Sequence, residues 1–183
     1  MLNLHAILPR SRANGPGVRF AVWFQGCSLQ CPGCFNPDTH PFEPRLSVTP
    51  GELVERLAHE QTDIEGITIS GGEPFEQADG LLALVAGIKE RTGLSVILFS
   101  GYALPEVEAM PLGRDILSCV DVLLAGRYDS TCRIAHGLRG SANQTIHLLT
   151  SRYTLADIQS TPDAEVILNP DGSASTSGIS PPG

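Results

Sequence analysis

The sequence lacks the features that mark membrane, secreted and nucleic-acid-binding proteins. Its 183 residues include no run of about 18 apolar residues, so we expect no transmembrane helix. The amino-terminal segment has no basic start followed by a long apolar stretch, and it does not resemble a signal peptide. Acidic residues number 20 and basic residues 12, and the net charge of −8 argues against a nucleic-acid partner. We therefore expect a globular, cytoplasmic protein that binds neither membranes nor nucleic acid.

Cysteine is scarce and unevenly distributed. The chain has five cysteines, of which Cys27, Cys31 and Cys34 are clustered while Cys119 and Cys132 stand alone. A secreted disulfide framework uses an even number of cysteines in a smaller chain. A reduced site that binds a metal or an iron–sulfur cluster in the cytosol fits this distribution better. Cys119 precedes a predicted buried strand and is expected in the core.

Apolar, β-branched segments alternate with amphipathic segments along the chain. Strands are predicted at residues 18–24, 66–70, 94–100, 120–124, 145–149 and 165–168. One helix is predicted to begin after a Thr49 cap, and two further helices are predicted at residues 76–91 and 104–110. This alternation indicates an α/β protein with right-handed βαβ units and a mostly parallel sheet, whose carboxyl edge gathers ligands.

The remaining segments are predicted to be irregular. Residues 125–144 are polar and contain glycine, which indicates a loop, and the Asn-Pro-Asp-Gly sequence at 169–172 indicates a turn. The segment 173–183 is rich in serine, glycine and proline. We therefore divide the chain into a domain at 1–172 and a carboxy-terminal tail at 173–183, which we expect to be partly mobile.

The clustered cysteines have the spacing C-x3-C-x2-C. Iron–sulfur clusters of the [4Fe–4S] type are normally held by four cysteine thiolates, so three thiolates leave one iron open to a substrate or cofactor. A structural zinc site is the alternative, because Cys31-Pro-Gly-Cys34 resembles a zinc knuckle and Cys27 or His40 could help complete four ligands. The spacing, with Phe35 directly after the last cysteine, favours the cluster.

A second short motif, Gly71-Gly72-Glu73-Pro74, follows a predicted strand. Two glycines let the backbone come close to a ligand, and a carbonyl or carboxylate there can accept a hydrogen bond from an ammonium group. Alone, this motif would fit an ordinary strand-to-helix turn. After a C-x3-C-x2-C loop, it favours a ligand site.

Together these blocks carry a family resemblance. The cysteine loop and the Gly-Gly-Glu-Pro motif resemble those of the radical S-adenosylmethionine (SAM) superfamily. Further blocks, in the same order along most of the chain, resemble the activating proteins of anaerobic ribonucleoside-triphosphate reductases. These further blocks are Asn14–Arg19, Gly26-Cys27, Cys31–Asn36, Ser70–Phe75, Ser100–Tyr102, Asp121–Tyr128 and Leu138–Gln144.

The resemblance implies a mechanism. The cluster is held by Cys27, Cys31 and Cys34, and its open iron chelates the amino and carboxylate groups of SAM. One electron, from a reduced flavodoxin- or ferredoxin-like donor, then cleaves SAM to a 5′-deoxyadenosyl radical that abstracts a hydrogen atom. In the activating proteins the target is the Cα of one glycine in a large partner, a glycyl radical enzyme.

The resemblance also assigns further residues to SAM. Gly72 would face the methionine ammonium, together with its neighbours Gly71, Glu73 and Pro74. The backbone at Gly33, Cys34 and Phe35 would lie along the adenine. Asn36 and Ser100 are further candidates for contacts with SAM.

A full radical SAM barrel usually needs a longer chain. We therefore expect an incomplete (β/α) barrel that is open on one side and could admit a protein loop. Two alternatives remain open: a radical SAM enzyme that modifies a peptide or small metabolite, and a non-catalytic iron–sulfur protein for electron transfer or interaction.

Some residues depart from the resemblance or have two possible roles. The segment 129–137 does not match it well and contains Cys132 and His136. Cys132 is either a plain surface thiol or a redox or partner-facing residue. Arg139 and Asn143 recur in the resemblance, and either contact the site or partner or stabilise a loop.

Overall fold

The computed structural model describes residues 1–168 and 171–179 and has a central seven-stranded sheet with the strand order β3-β1-β2-β4-β5-β6-β9. The sheet strands are β1 (Leu2–Ser11), β2 (Arg19–Phe24), β3 (Leu46–Val48), β4 (Gly66–Gly71), β5 (Ser95–Ser100), β6 (Val122–Ala125) and β9 (Thr145–Leu148). Strands β2, β4, β5 and β6 are parallel, while β1, β3 and β9 pair antiparallel. The prediction of an α/β fold around parallel strands is confirmed.

The parallel strands form the centre of the sheet, and most of their residues are buried on both faces, as expected for strands that are covered on both sides. On one face, alternate residues of β2 pack in a core with two helices, α1 (Pro50–Glu60) and α2 (Ala78–Arg91). The other face carries a smaller cluster around Ile97 and Val122. The shorter helices are α3 (Leu104–Ala109), α4 (Gly113–Leu117) and α5 (Leu155–Gln159).

The predicted start of α1 is confirmed in detail. The Thr49 Oγ1 accepts a hydrogen bond from the Glu52 backbone N–H at 3.1 Å, and the Glu52 carboxylate accepts one from the Thr49 N–H at 2.8 Å. This reciprocal pair satisfies two backbone donors at the helix start. The helix predicted from residue 76 has a different start, since a 3-10 turn at Pro74–Gln77 precedes α2.

Two predicted irregular segments contain strands. Inside the predicted loop 125–144, β7 (Arg133–His136) and β8 (Arg139–Ser141) form a hairpin, so that prediction is wrong there. The predicted boundary at residue 172 falls inside another hairpin, formed by β10 (Ala164–Leu168) and β11 (Ala174–Gly178). The sequences of β7, β8 and β11 carry little strand signal, and pairing with a neighbour creates these strands, whereas β10 covers the strand predicted at 165–168. Of the predicted turn and tail, Asn169, Pro170 and residues 180–183 lie outside the described residues.

An arginine is buried completely at the amino end of the parallel strands. Arg19 has no exposed surface and donates to the Thr68 hydroxyl at 2.6 Å, the Ile67 carbonyl at 2.6 Å and the Tyr153 hydroxyl at 3.2 Å. Burial lowers the pKa of this guanidinium, and the neighbouring Tyr153 hydroxyl opposes that shift. The network ties the amino ends of β2, β4 and β5 together.

Within the described part of the chain, no helix is both long and apolar enough to cross a membrane.

Candidate functional site

A cavity of about 530 Å³ lies at the carboxyl edge of the parallel strands. The segments that follow β2, β4, β5 and β6 all contribute to its wall. The predicted site residues that line it are Cys27, Cys31, Cys34, Phe35, Asn36, Gly71, Gly72, Glu73 and Ser100. Two predicted residues, Gly33 and Pro74, do not line it. The fold thus brings the cysteine loop and the glycine motif, some forty residues apart in the sequence, to one cavity.

The cysteine loop leaves β2 and is fixed where it starts and where it returns. The Gly26 N–H donates to the Thr39 carbonyl at 2.8 Å, and the Cys27 N–H donates to the His40 carbonyl at 3.0 Å. Within the loop, the Cys34 N–H donates to the Cys31 carbonyl at 3.1 Å. These bonds fold the loop back on itself, so that all three thiols face the same cavity.

Burial raises the pKa of the Cys27 thiol and of the Cys34 thiol, and the nearby thiols contribute in the same direction. Stable thiolates at these positions therefore need cationic partners, which the irons of a cluster supply. All five cysteines are free thiols. Among residues 1–168 and 171–179, no three or more His, Cys, Asp or Glu side chains are grouped so that they could hold a single metal ion.

The two glycines after β4 lie against the start of the cysteine loop. Gly71 has a φ of +102°, and a Cβ there would lie 2.4 Å from the Phe24 nitrogen. A Cβ on Gly72 would lie 2.3 Å from the Gly26 carbonyl oxygen. Two backbone hydrogen bonds join the segments, from Gly72 to Phe24 at 2.8 Å and from Glu73 to Gly26 at 2.9 Å. Glycine is therefore required here for the close approach of two backbones.

Glu73 is the buried acid of the cavity, with 1% of its surface exposed. One carboxylate oxygen accepts hydrogen bonds from the Phe75 N–H at 3.1 Å and the Ser100 hydroxyl at 3.0 Å. The other oxygen accepts from the Gly101 N–H at 2.8 Å. Burial nevertheless raises the pKa of Glu73 to about 7, and these three donors only partly oppose the shift. The side chain ties the end of β4 to the end of β5.

An aromatic pair stands beside the last cysteine. The Phe35 and Tyr128 rings have centroids 4.7 Å apart, and both line the cavity. The Arg133 guanidinium lies 4.7 Å from the centre of the Phe35 ring. Gly33 lies behind this pair with a φ of +73°, where a Cβ would contact the Ser130 side chain at 3.2 Å. Gly33 therefore shapes the loop from outside the cavity.

The uncertain residues of the 129–143 segment do not line the cavity. The Cys132 thiol donates to the Asn143 side-chain oxygen at 3.3 Å, and the Asn143 amide donates to the Arg127 carbonyl at 2.8 Å. His136 contacts Asp163 at 3.0 Å, and Arg139 donates to the Gln144 carbonyl at 3.4 Å. These contacts favour the loop-stabilising role for Arg139 and Asn143.

Sequence reasoning missed part of the wall. His5 and Asn14 line the cavity from the amino-terminal region. Gln144 and residues 175–178 of β11 line it from the carboxy-terminal part of the chain. The Asn14 side-chain amide donates to the Ser177 hydroxyl at 2.7 Å, and Glu165 accepts hydrogen bonds from Ser11 and Arg12. These contacts join residues far apart in the sequence, and the only sequence signal for them was the Asn14 block of the resemblance.

Comparisons with known proteins identify the family of the chain. The family model of the 4Fe-4S single cluster domain matches residues 13–147. The anaerobic ribonucleoside-triphosphate reductase-activating protein of Vibrio cholerae is 32% identical over 158 residues, which cover 81% of this chain and 99% of that protein. The protein of the same name from Escherichia coli (strain K12) is 29% identical over 155 residues, with the same coverage. The pyruvate formate-lyase-activating enzyme of Clostridium pasteurianum is 32% identical over 144 residues, covering 76% of this chain and 60% of that enzyme.

The chain belongs to the 4Fe-4S single cluster domain family and, within it, to the family of anaerobic ribonucleoside-triphosphate reductase-activating proteins. The family membership predicted from the sequence motifs is confirmed. The predicted [4Fe–4S] cluster agrees with the domain that the family model describes.

Proposed function

We propose that this protein is a radical SAM activase that generates a glycyl radical on a large partner protein related to ribonucleotide reductases. The observation that carries the proposal is the meeting of three cysteine thiols and the Gly71–Glu73 segment in one cavity. The relatives support the choice of partner, because they are named as activators of an anaerobic ribonucleoside-triphosphate reductase or of pyruvate formate-lyase.

The residues present fit the proposed cofactors. Three thiols from one loop match the donor set of a cluster with one open iron. The cavity of about 530 Å³ falls within the size range of small-molecule and cofactor sites. When bound there, the cluster and SAM would supply one-electron, reductive cleavage of SAM, the chemistry with which the superfamily abstracts hydrogen atoms.

The protein supplies binding, orientation and the exclusion of water. Cys27, Cys31 and Cys34 would hold the irons. The backbone at Gly71 and Gly72 would lie close to the methionine ammonium, with Glu73 and Pro74 holding that segment in place. Phe35, with the backbone at Cys34, would lie along the adenine, while Gly33 would shape this loop from outside the cavity. Asn36 and Ser100 would be further contacts with SAM. Leu29, Trp23, Phe99 and Leu138 add apolar surface to the wall.

The finer description of the fold, an incomplete (β/α) barrel open on one side, belongs to the proposal. The strand order supports this description: the two edge strands, β3 and β9, do not pair with each other, so the sheet is open. A sheet that does not close on itself leaves a side through which a protein segment could enter. We propose 1–172 as the barrel domain, although its boundary falls inside the β10–β11 hairpin.

The proposed reaction needs an electron donor, for which we propose a reduced flavodoxin- or ferredoxin-like protein. Free thiols at all five cysteines suit a reducing cytoplasm, which we propose as the location.

The test is anaerobic reconstitution with iron and sulfide, followed by SAM and a strong reductant. We expect a [4Fe–4S] spectrum and the release of 5′-deoxyadenosine. Replacing Cys27, Cys31 or Cys34 by Ala should abolish both, whereas Cys119→Ala is the matched control, because Cys119 lies outside the cavity and should be silent. A protein that holds only zinc, or activity retained without one of the three thiols, would contradict the proposal.

The partner is tested separately. Incubation of the reconstituted protein with a candidate anaerobic reductase should produce a glycyl radical doublet in the electron paramagnetic resonance spectrum. Release of 5′-deoxyadenosine without that doublet on any glycyl radical enzyme would favour the peptide or small-metabolite alternative. No release of 5′-deoxyadenosine would leave the non-catalytic iron–sulfur alternative.

A further inference from the structure

His5 lies at an irregularity of β1 beside the cysteine loop. The pairing of β1 with β2 shifts between Leu4 and Ala6, so that His5 is the extra residue of a β-bulge. Bulges occur often next to active sites, where they re-aim a side chain. Leu4 packs in the core between sheet and helices, whereas His5 and Ala6 both line the cavity. Ile7 and Leu8 also line the cavity, so the bulge places His5 at the start of a wall segment that runs along β1.

Hydrogen bonding around Gln25 determines which nitrogen of His5 carries the proton. The Gln25 side-chain amide donates to two carbonyls, those of Asp38 at 3.2 Å and Pro41 at 2.7 Å. Its oxygen therefore faces the His5 Nδ1, at 2.9 Å, and can only accept. In the neutral ring the proton must sit on Nδ1, which leaves Nε2 as an unprotonated acceptor.

The orientation of the ring is well supported. Gln25 is 2% exposed, and its backbone N–H donates to the Asn3 carbonyl at 2.9 Å. The Gln77 side chain donates to the carbonyls of both Asn3 and Gln25, at 2.9 Å and 3.0 Å. These bonds fix the start of β1 against Gln25, the residue directly before Gly26 and Cys27. His5 is thus held through Nδ1 by a rigid polar network, and Nε2 is the nitrogen available to a ligand.

We propose that His5 is a SAM-binding residue whose Nε2 accepts a hydrogen bond from a ribose hydroxyl of the nucleoside. The inference rests on the proposed function. In that function the open iron takes the amino and carboxylate groups of SAM, and the loop around Phe35 flanks the adenine. The remaining hydrogen-bond donors of the ligand are the adenine amino group, which this placement directs toward the loop around Phe35, and the two ribose hydroxyls. A neutral imidazole nitrogen is a suitable acceptor for one of these hydroxyls.

Two amide replacements separate the two nitrogens of His5. In His5→Asn, the amide nitrogen occupies the position of Nδ1 and keeps the bond to Gln25, but nothing replaces Nε2. In His5→Gln, the amide oxygen occupies the position of Nε2 and keeps the acceptor, but the bond to Gln25 is lost. His147→Ala is the control, because His147 lies on β9 outside the cavity.

The experiment measures binding and involves no turnover. The dissociation constant of SAM is determined by anaerobic equilibrium dialysis with the reconstituted protein, in the absence of reductant. His5→Asn should raise it about three- to tenfold, the effect of one lost hydrogen bond between neutral groups. His5→Gln and His147→Ala should stay within about twofold of wild type, a difference of less than one such bond.

Deoxy analogues of SAM identify the hydroxyl. Wild-type protein should bind either the 2′-deoxy or the 3′-deoxy analogue more weakly than SAM, and His5→Asn should show no further loss with that analogue. Unchanged SAM binding by His5→Asn, equal losses in His5→Asn and His5→Gln, or independent losses with both analogues would overturn the inference. No SAM binding by wild-type protein would overturn the proposed function, and this inference with it.

Discussion

Replacing Gly72 by alanine tests whether the close approach of two backbones organises the site. The added Cβ would lie 2.3 Å from the Gly26 carbonyl oxygen and 3.1 Å from the Thr39 carbonyl oxygen. An ordinary C···O contact is about 3.3 Å or longer, so the two segments must separate by about 1 Å. No flexible side chain among these neighbours can absorb the movement.

The expected cost follows from that separation. Overpacking a tight contact costs about 1–3 kcal/mol. The bond from Glu73 to Gly26, now 2.9 Å, would lengthen beyond hydrogen-bonding range and remove about 1 kcal/mol more. We therefore expect Gly72→Ala to lower the free energy of unfolding by about 2–4 kcal/mol. Because Gly26 directly precedes Cys27, the variant should also retain less iron after reconstitution.

The assay is urea unfolding followed by circular dichroism, with iron content measured per chain. Gly93→Ala is the matched control, because no heavy atom lies within 4 Å of a Cβ built at Gly93. It should stay within about 0.5 kcal/mol of wild type. If Gly72→Ala were as stable as Gly93→Ala and held as much iron, the packing argument for the motif would be refuted.

Two further predictions concern buried polar groups. Burial raises the pKa of Glu73 from its ordinary 4.5 to about 7, so its ionisation costs the folded state about 3 kcal/mol. The unfolding free energy of wild type minus that of Glu73→Gln should therefore decrease by about 3 kcal/mol as the pH rises from about 4.5 to above 7. A pH-independent difference in urea unfolding would contradict this. Tyr153→Phe removes a hydrogen-bond acceptor at 3.2 Å from the buried Arg19 and should cost about 1.5–3 kcal/mol in the same assay. A loss below about 0.5 kcal/mol would mean that the remaining partners of Arg19 suffice.

The sequence predicted the parallel strands because their signal is local. Runs such as residues 66–70 and 94–100 are short, rich in β-branched and other apolar residues, and each lies next to a helix with its own periodicity or cap. The meeting of Cys27 with Gly72 was also predictable, because both follow parallel strands whose carboxyl ends share one edge. The predicted roles of the SAM-contact residues remain predictions.

The missed parts depend on contacts that no local pattern records. In β1, the bulge at His5 breaks the alternation of apolar residues, and Pro9 further weakens the strand signal. No local pattern marks His5 as a cavity residue, because its relation to Gln25 is created by strand pairing. The strand β11 consists of small residues such as Ser175 and Thr176, and its pairing with β10 makes it a strand.

The β10–β11 hairpin has a consequence for how such a protein can diversify. Ile167 and the stretch 175–179 belong to the cavity wall, yet they lie beyond residue 147, where the match to the family model ends. The thiols and the glycine motif lie inside that match. Changes in this hairpin would therefore alter the cavity wall without altering the segments that carry the thiols and the glycine motif.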